Sequence, residues 1–345
     1  MDHSNQNIEQ QLKSIYKDYY GSLPDKIIQL PHSGSNRMYF RLQTNNFSAL
    51  GVYNDNQKEN HAFINFTKQF FNHRINVPEI YHHSLKRHIY LIQDLGNTQL
   101  LSWLTAIKQD DKFPDCAILM YKKVLQELVK IQIVAGRNFD YTYAYPYQSF
   151  HKESVLFDLN YFKKYFVDAL KISYKSQQLT KDLNLFSNYL LQDSDPFFMY
   201  RDFQARNIML VDDEPFFIDY QGGRAGALQY DAASLLFQAK ANIPDKTREE
   251  LLNYYIKIVK LLIPVNDDQF IEKYYAFALI RVLQTLGAYG LRGYIEKKEH
   301  FIESIPLAIR NLDYLIEKNK ILNQLKELKR VIIQIINNEY KPNEK

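Results

Sequence analysis

The segment Tyr200-Arg201-Asp202-Phe203-Gln204-Ala205-Arg206-Asn207 leads into the apolar run Ile208-Met209-Leu210-Val211. After the turn Asp212-Asp213-Glu214-Pro215, a second apolar run, Phe216-Phe217-Ile218, ends at Asp219. Two short apolar runs joined by an acidic, proline-containing turn predict a β-hairpin. A hairpin returns its far end to the edge where it began, so Asp202, Asn207 and Asp219 are expected to converge. Any one of them alone reads as a turn-capping residue. Together they form a sparse oxygen set of the kind that holds a hard cation such as Mg²⁺, whose octahedron is completed by phosphate and water.

A chain of 345 residues is long for one core and predicts two lobes. With 46% hydrophobic and 24% charged residues it has the balance of a globular protein, so disorder is not its dominant state. The formal net charge of +4, from 43 basic and 39 acidic residues, is weak and dispersed, which argues against a nucleic-acid partner. A single cysteine, Cys116, excludes an intramolecular disulfide and a cysteine-rich zinc site. The first residues lack the basic-then-apolar order of a secretory signal, and no apolar run reaches the roughly eighteen residues of a membrane span. A cytoplasmic protein with no membrane partner is expected. The 27 tyrosines and 22 phenylalanines are expected to fill a helical core.

Taken in order, Ile8, Leu12, Ile15, Tyr16 and Tyr19 have the spacing of a lead-in helix. Lys26–Leu30, Met38–Gln43 and Ser48–Tyr53 predict a small antiparallel meander. Its first turn, containing Ser33-Gly34-Ser35-Asn36, is rich in small hydrogen-bonding residues that suit phosphates, although one glycine also fits an ordinary turn. Glu59 to Phe71 reads as an amphipathic helix and His88 to Gln93 as a strand. Gly96 then allows a sharp change of direction, which places a boundary between residues 1–95 and 96–345. His82, His83 and His88 read as a surface cluster, because adjacent strand residues point to opposite faces. The remainder is mainly helical, with candidate helices at Ala117–Val134, Val155–Ile172, Tyr230–Ala239 and Asp267–Tyr289, and Gly222 to Gly226 reads as a loop.

An Asp, an Asn five residues on and an Asp closing the next strand match the parts phosphoryl transfer requires. The pattern resembles the aminoglycoside phosphotransferase and choline kinase superfamily. Within it, the likeness is greatest to the bacterial amino-sugar kinases acting on the anomeric hydroxyl of N-acetylmuramate or N-acetylglucosamine. The residues that carry it are Tyr200-Arg201-Asp202 to Met209, Ile218-Asp219-Tyr220-Gln221 and Tyr230-Asp231-Ala232-Ala233-Ser234. Ser35 to Leu42, Gln93 to Gly96 and Arg281 to Gly293 add to it. The resemblance implies an α+β, bilobal, protein-kinase-like fold with a small antiparallel-sheet lobe and a larger helical lobe. It also implies an ATP- and Mg²⁺-dependent kinase of a small-molecule hydroxyl acceptor. Asp202 would then be the catalytic base, Asn207 and Asp219 the metal ligands, and Ser33, Gly34, Ser35, Asn36 and Arg37 the phosphate-facing turn. Gln93, Asp94 and Leu95 would contact adenine, while Tyr200 and Asp231 would support the catalytic loop.

Two departures stand out. Tyr200 occupies a position where the superfamily usually has His. The third strand, Leu50-Gly51-Val52-Tyr53, lacks the lysine that pairs with ATP phosphates. Arg37, Arg41 or Lys58 are the candidate replacements, and Glu59, lacking a strand-lysine partner, is expected simply to start its helix. Arg224 and Arg281 are candidate acceptor-binding residues, since arginine forks onto carboxylate or phosphate. The alternatives are an inactive nucleotide-binding scaffold and a kinase of a choline-type or aminoglycoside acceptor.

Overall fold

Lys26–Gln29 (β1), Met38–Gln43 (β2), Ser48–Tyr53 (β3), Ile80–Ser84 (β4) and Ile89–Gln93 (β5) form one antiparallel sheet in the order β1-β2-β3-β5-β4. The computed structural model describes residues 3–31, 37–108, 113–192 and 196–337. His3–Tyr20 (α1) covers one face of the sheet. Its Leu12, Ile15 and Tyr16 are buried with Phe40, Leu42 and Leu91 in a small core of their own. Gly51 permits that close approach, since a Cβ there would lie 2.7 Å from a Leu42 methyl and 2.9 Å from a Leu12 methyl.

Gln57–Asn72 (α2) begins at an Asn56 cap, whose side chain accepts the Glu59 N–H at 3.3 Å. Its apolar face continues into the larger core. Phe63 stacks on Tyr90 of the sheet at 5.1 Å and on Tyr220 at 5.2 Å, and Phe66 and Phe70 pack against Phe139 and Phe198. The Thr67 and Tyr220 hydroxyls bond at 2.5 Å. A continuous apolar core thus joins α2 to the segment that follows Asp219, which fixes the small lobe over the site.

The larger lobe contains Leu100–Ile107 (α3), Asp115–Val129 (α4), Lys152–Phe162 (α5) and Ser176–Leu191 (α6). Next come the strands Phe197–Met199 (β6), Ile208–Val211 (β7), Glu214–Phe217 (β8) and Arg224–Gly226 (β9). Leu228–Leu236 (α7), Asp245–Val259 (α8), Asp267–Tyr289 (α9), Glu299–Ile302 (α10), Ile305–Lys318 (α11) and Lys326–Asn337 (α12) complete it. This is the α+β bilobal architecture expected. Two of the expected helices, Ala117–Val134 and Val155–Ile172, instead pass into wide π turns at Lys130–Val134 and Lys163–Asp168. The expected hairpin forms between β7 and β8, pairing Ile208 with Phe217 and Val211 with Glu214. Gly222 to Gly226, expected as a loop, includes β9, which pairs with β6. Three-residue strands have too few positions to show a period-two pattern, so this ladder is invisible before the chain folds.

Candidate active site

β6 delivers the chain to Tyr200, where the carboxylate of Asp231, in the first turn of α7, receives it. Asp231 accepts the backbone N–H of Tyr200 at 2.7 Å, that of Arg201 at 3.0 Å and the Gln132 amide at 3.0 Å. Burial outweighs these donors and pushes its carboxyl up to about 7. The buried Tyr200 hydroxyl donates to the Ile218 carbonyl at 2.5 Å, tying the start of the loop to the end of the hairpin. Tyrosine here makes a longer reach that an imidazole would not, and the loop keeps its anchor.

Arg201 has a φ of 82°, a left-handed conformation uncommon for a side-chain-bearing residue. Its guanidinium lies between the rings of Phe150 and Tyr230, 5.2 Å from each centroid, and bonds Asp158 on α5 at 2.7 Å and the Tyr230 hydroxyl. With Arg201 turned inward, the Asp202 side chain is left 45% exposed in the cleft, with Arg281 Nη2 at 4.0 Å.

Asn207 is buried and donates its amide to the Asp202 carbonyl at 2.9 Å, with Asp219 Oδ2 at 3.4 Å. Asp219, at φ 69°, accepts the Gln221 amide at 2.6 Å through Oδ1. Its side chain is 42% exposed, yet it sits deep in the cleft. Burial first, and the charge of Asp202 second, raise its carboxyl above the usual range. The two hairpin ends therefore meet as the sequence pattern requires. Among the described residues there is no group of three or more His, Cys, Asp or Glu side chains able to hold a metal ion. The oxygen set here is an amide and a carboxylate. That set fits Mg²⁺, which keeps waters and substrate phosphates and needs only one or two protein carboxylates.

Of the three candidate cations for the small lobe, only Arg37 faces this pair. It is buried, lies 2.9 Å from Glu59 Oε2, and its Nη1 is 3.9 Å from Asp219 Oδ1. Glu59 therefore does more than start α2. Arg41 instead forks onto Asp94 at 2.7 and 2.8 Å and reaches Asn97 at 2.9 Å, bracing the hinge. Lys58 lies over the Tyr145 ring at 5.7 Å. In the hinge, the Gln93 N–H is committed to the Glu79 carbonyl at 2.8 Å, and the Asp94 carboxylate is taken by Arg41 and by Ser48 at 2.5 Å. The Leu95 amide makes no turn bond to another backbone group among the described residues. Ser33, Gly34, Ser35 and Asn36 lie outside the described residues.

The two acceptor candidates part company. Arg281, on α9, is held by the Tyr230 hydroxyl at 2.9 Å, Ser234 at 3.0 Å and Gln284 at 3.0 Å, and it lines a cavity of about 240 Å³ beside Asp202. Arg224 is not brought to that cavity. It is buried on β9 and folded back onto the Gly222 carbonyl at 3.0 and 3.1 Å, and burial first, then Arg201, lower its guanidinium to about 10. Gly223 answers to packing: a Cβ there would lie 2.3 Å from the Phe198 ring. Sequence reasoning missed Asp158 as the anchor of Arg201, and Arg206 and Lys240 as cavity-lining cations. Each lies on an element with an ordinary helical or turn pattern, so no local signal marks it.

Residues 26–262 match the model of the phosphotransferase enzyme family. The chain belongs to that family. It is 25% identical over 274 residues to the N-acetylmuramate/N-acetylglucosamine kinase of Neisseria meningitidis serogroup B, with 77% of each chain covered. It is 24% identical over 316 residues to the enzyme of that name from Pseudomonas aeruginosa, with 88% of each covered. Among solved structures, an amicoumacin kinase in complex with AMP-PNP, Ca²⁺ and its ligand superposes with a TM-score of 0.62 at 10% identity, covering 93% of this chain and 97% of that one. The choline kinase LicA from Streptococcus pneumoniae gives 0.59 at 12% identity, covering 91% and 100%. At these identities the structures show a shared kinase-like fold. This phosphotransferase is a small-molecule kinase with a hydroxyl acceptor. No described helix is long and apolar enough to cross a membrane.

Proposed function

We propose that this kinase transfers the terminal phosphoryl group of ATP, with Mg²⁺, to a hydroxyl of a sugar or amino sugar of the N-acetylmuramate or N-acetylglucosamine class. The observation that carries the reading is the exposed Asp202 carboxylate on the wall of a 240 Å³ cavity, next to the Asn207–Asp219 pair. That volume equals about eight waters at about 30 Å³ each, room for a monosaccharide. Asp202 orients the acceptor hydroxyl and takes its proton as the oxygen attacks. Arg281, pinned by three neighbours, holds Asp202 to that task. Asn207 and Asp219 would hold Mg²⁺, which when bound neutralises charge on the phosphate oxygens. Arg37, kept in place by Glu59, faces the phosphates from the small lobe, taking the part of the strand lysine that this chain lacks. The Leu95 amide meets the adenine edge. Positioning and fixed charge supply most of the acceleration in such a transfer.

Residues 1–95 would bind the nucleotide and 96–345 the acceptor, in a cytoplasmic enzyme. Retention of Asp202, Asn207 and Asp219 in contact geometry argues against the inactive scaffold. A cationic acceptor fits poorly, because among the described residues Asp202 is the only acidic one lining the cavity. The deciding experiment is ADP release from Mg²⁺-ATP with amino sugars, uronic and muramic acids, choline and aminoglycosides, using Asp202→Ala as the blank. Turnover of choline or an aminoglycoside in preference to every sugar would overturn the reading.

A further inference from the structure

The cavity beside Asp202 has an uneven charge. Arg206, Lys240, Arg281 and His300 line it, while Asp202 is its single carboxylate among the described residues. Arg281 gives its two terminal nitrogens to Tyr230, Ser234 and Gln284 and approaches Asp202 at 4.0 Å, while its buried Nε has no partner among the described residues. Arg206 and Lys240 are different. Both are exposed, and among the described residues neither side chain makes a hydrogen bond or an ion pair. They reach the cavity from separate elements, Arg206 from the turn Ala205–Asn207 and Lys240 from the turn Ala239–Ala241 after α7. The other walls carry Tyr289, Phe301 and Phe237, flat apolar surfaces of the kind a sugar ring packs on.

Arg206 and Lys240 are two solvated cations on the lining of one monosaccharide-sized cavity, and neither is taken up by a hydrogen bond or ion pair among the described residues. They are neutralised best by one anionic group that bridges them. Resting on the sugar-kinase reading above, we propose that Arg206 and Lys240 form an anion clamp that makes this enzyme selective for a sugar carrying a negatively charged substituent. The anion sits at the cavity mouth while the hydroxyl to be phosphorylated points at Asp202. Arg206 is four residues from Asp202, so seating the anion also sets the acceptor's orientation toward the base. Neutral sugars fit the same space without that restraint.

The test compares kcat/KM for N-acetylglucosamine, N-acetylmuramate and N-acetylglucosamine 6-phosphate, which are a neutral, a carboxylate and a phosphate form of one ring. The expected result is a preference of about tenfold or more for an anionic sugar over the neutral one, the two anionic arms showing which group the clamp takes. Raising salt should increase KM for the anionic sugar and leave that for the neutral one nearly flat, because the clamp is solvent-exposed. In the Arg206→Gln/Lys240→Gln double variant the anionic-to-neutral ratio should collapse by about tenfold, mainly through KM. Lys240→Gln alone, outside the catalytic loop, should move the ratio in the same direction. Equal use of neutral and anionic sugars by the unaltered enzyme, or equal losses on both in the variants, would overturn the clamp and leave the sugar-kinase reading standing. No turnover of any of the three sugars, with Mg²⁺-ATP binding intact, would overturn both.

Discussion

Replacing Arg37 separates its two roles. Its guanidinium is 4% exposed and bonds Glu59, 34% exposed, at 2.9 Å. Breaking a fully buried ion pair costs about 3–5 kcal/mol and an exposed one about 0–1, so this half-open pair lies between. Asn54 still donates to Glu59 at 3.2 Å, which limits the damage. Arg37→Met should therefore lower unfolding free energy by about 1–2 kcal/mol, read by denaturant titration. The kinetic effect should be larger. A fixed cation facing developing phosphate charge contributes about 10²–10³ to kcat when its counterparts are removed elsewhere, so kcat/KM for ATP should fall about 100-fold. KM for the acceptor should move little. Arg37→Lys keeps the charge without the fork that spans Glu59 and Asp219, and should lose about tenfold. ADP release with ATP varied at saturating acceptor measures each. If folded Arg37→Met kept kcat/KM for ATP within about twofold, assigning the lysine's role to Arg37 would be wrong.

Asp202→Ala should cut kcat by about 10²–10⁴ while Mg²⁺-ATP still binds, and turnover within tenfold of the unaltered enzyme would remove Asp202 as the base. Tyr200→Phe deletes the donor to the Ile218 carbonyl, and should destabilise the fold by about 1–3 kcal/mol; a neutral result in denaturant titration would refute the anchor. Asp231 gives a pH signature. Its folded value of about 7 lies above its ordinary 3.8, so the folded state holds the extra proton. The stability this group contributes is complete below the ordinary value and is lost as pH rises through about 7, by about 4 kcal/mol in all. Urea unfolding of the unaltered chain and of Asp231→Asn between about pH 5 and 8 should show the first losing ground to the second as pH rises. A constant difference would contradict it.

The Asp202–Asp219 segment was legible because its geometry is local. Asp202, Asn207 and Asp219 are joined by one short hairpin, and a hairpin's geometry follows from two apolar runs and a turn. The two lobes were legible from texture, short strands giving way to helical periodicity. What the sequence left open depends on contacts between residues far apart in the chain. Arg37, Arg41 and Lys58 look alike as letters, and only packing α2 over the sheet gives Arg37 to Glu59 and Asp219 and Arg41 to Asp94. Arg224 and Arg281 both read as acceptor ligands, until pairing of β9 with β6 buries the first and α9 carries the second to the cavity. Asp158 reaches Arg201 across 43 residues. The sequence by itself determined that the hairpin brings Asp202, Asn207 and Asp219 together, since backbone sterics and short loops act over a few residues. Tertiary structure alone decided which cation faces Asp219, which is tied to Asp94 and which lines the cavity beside Asp202, because charge partners are chosen by burial and distance.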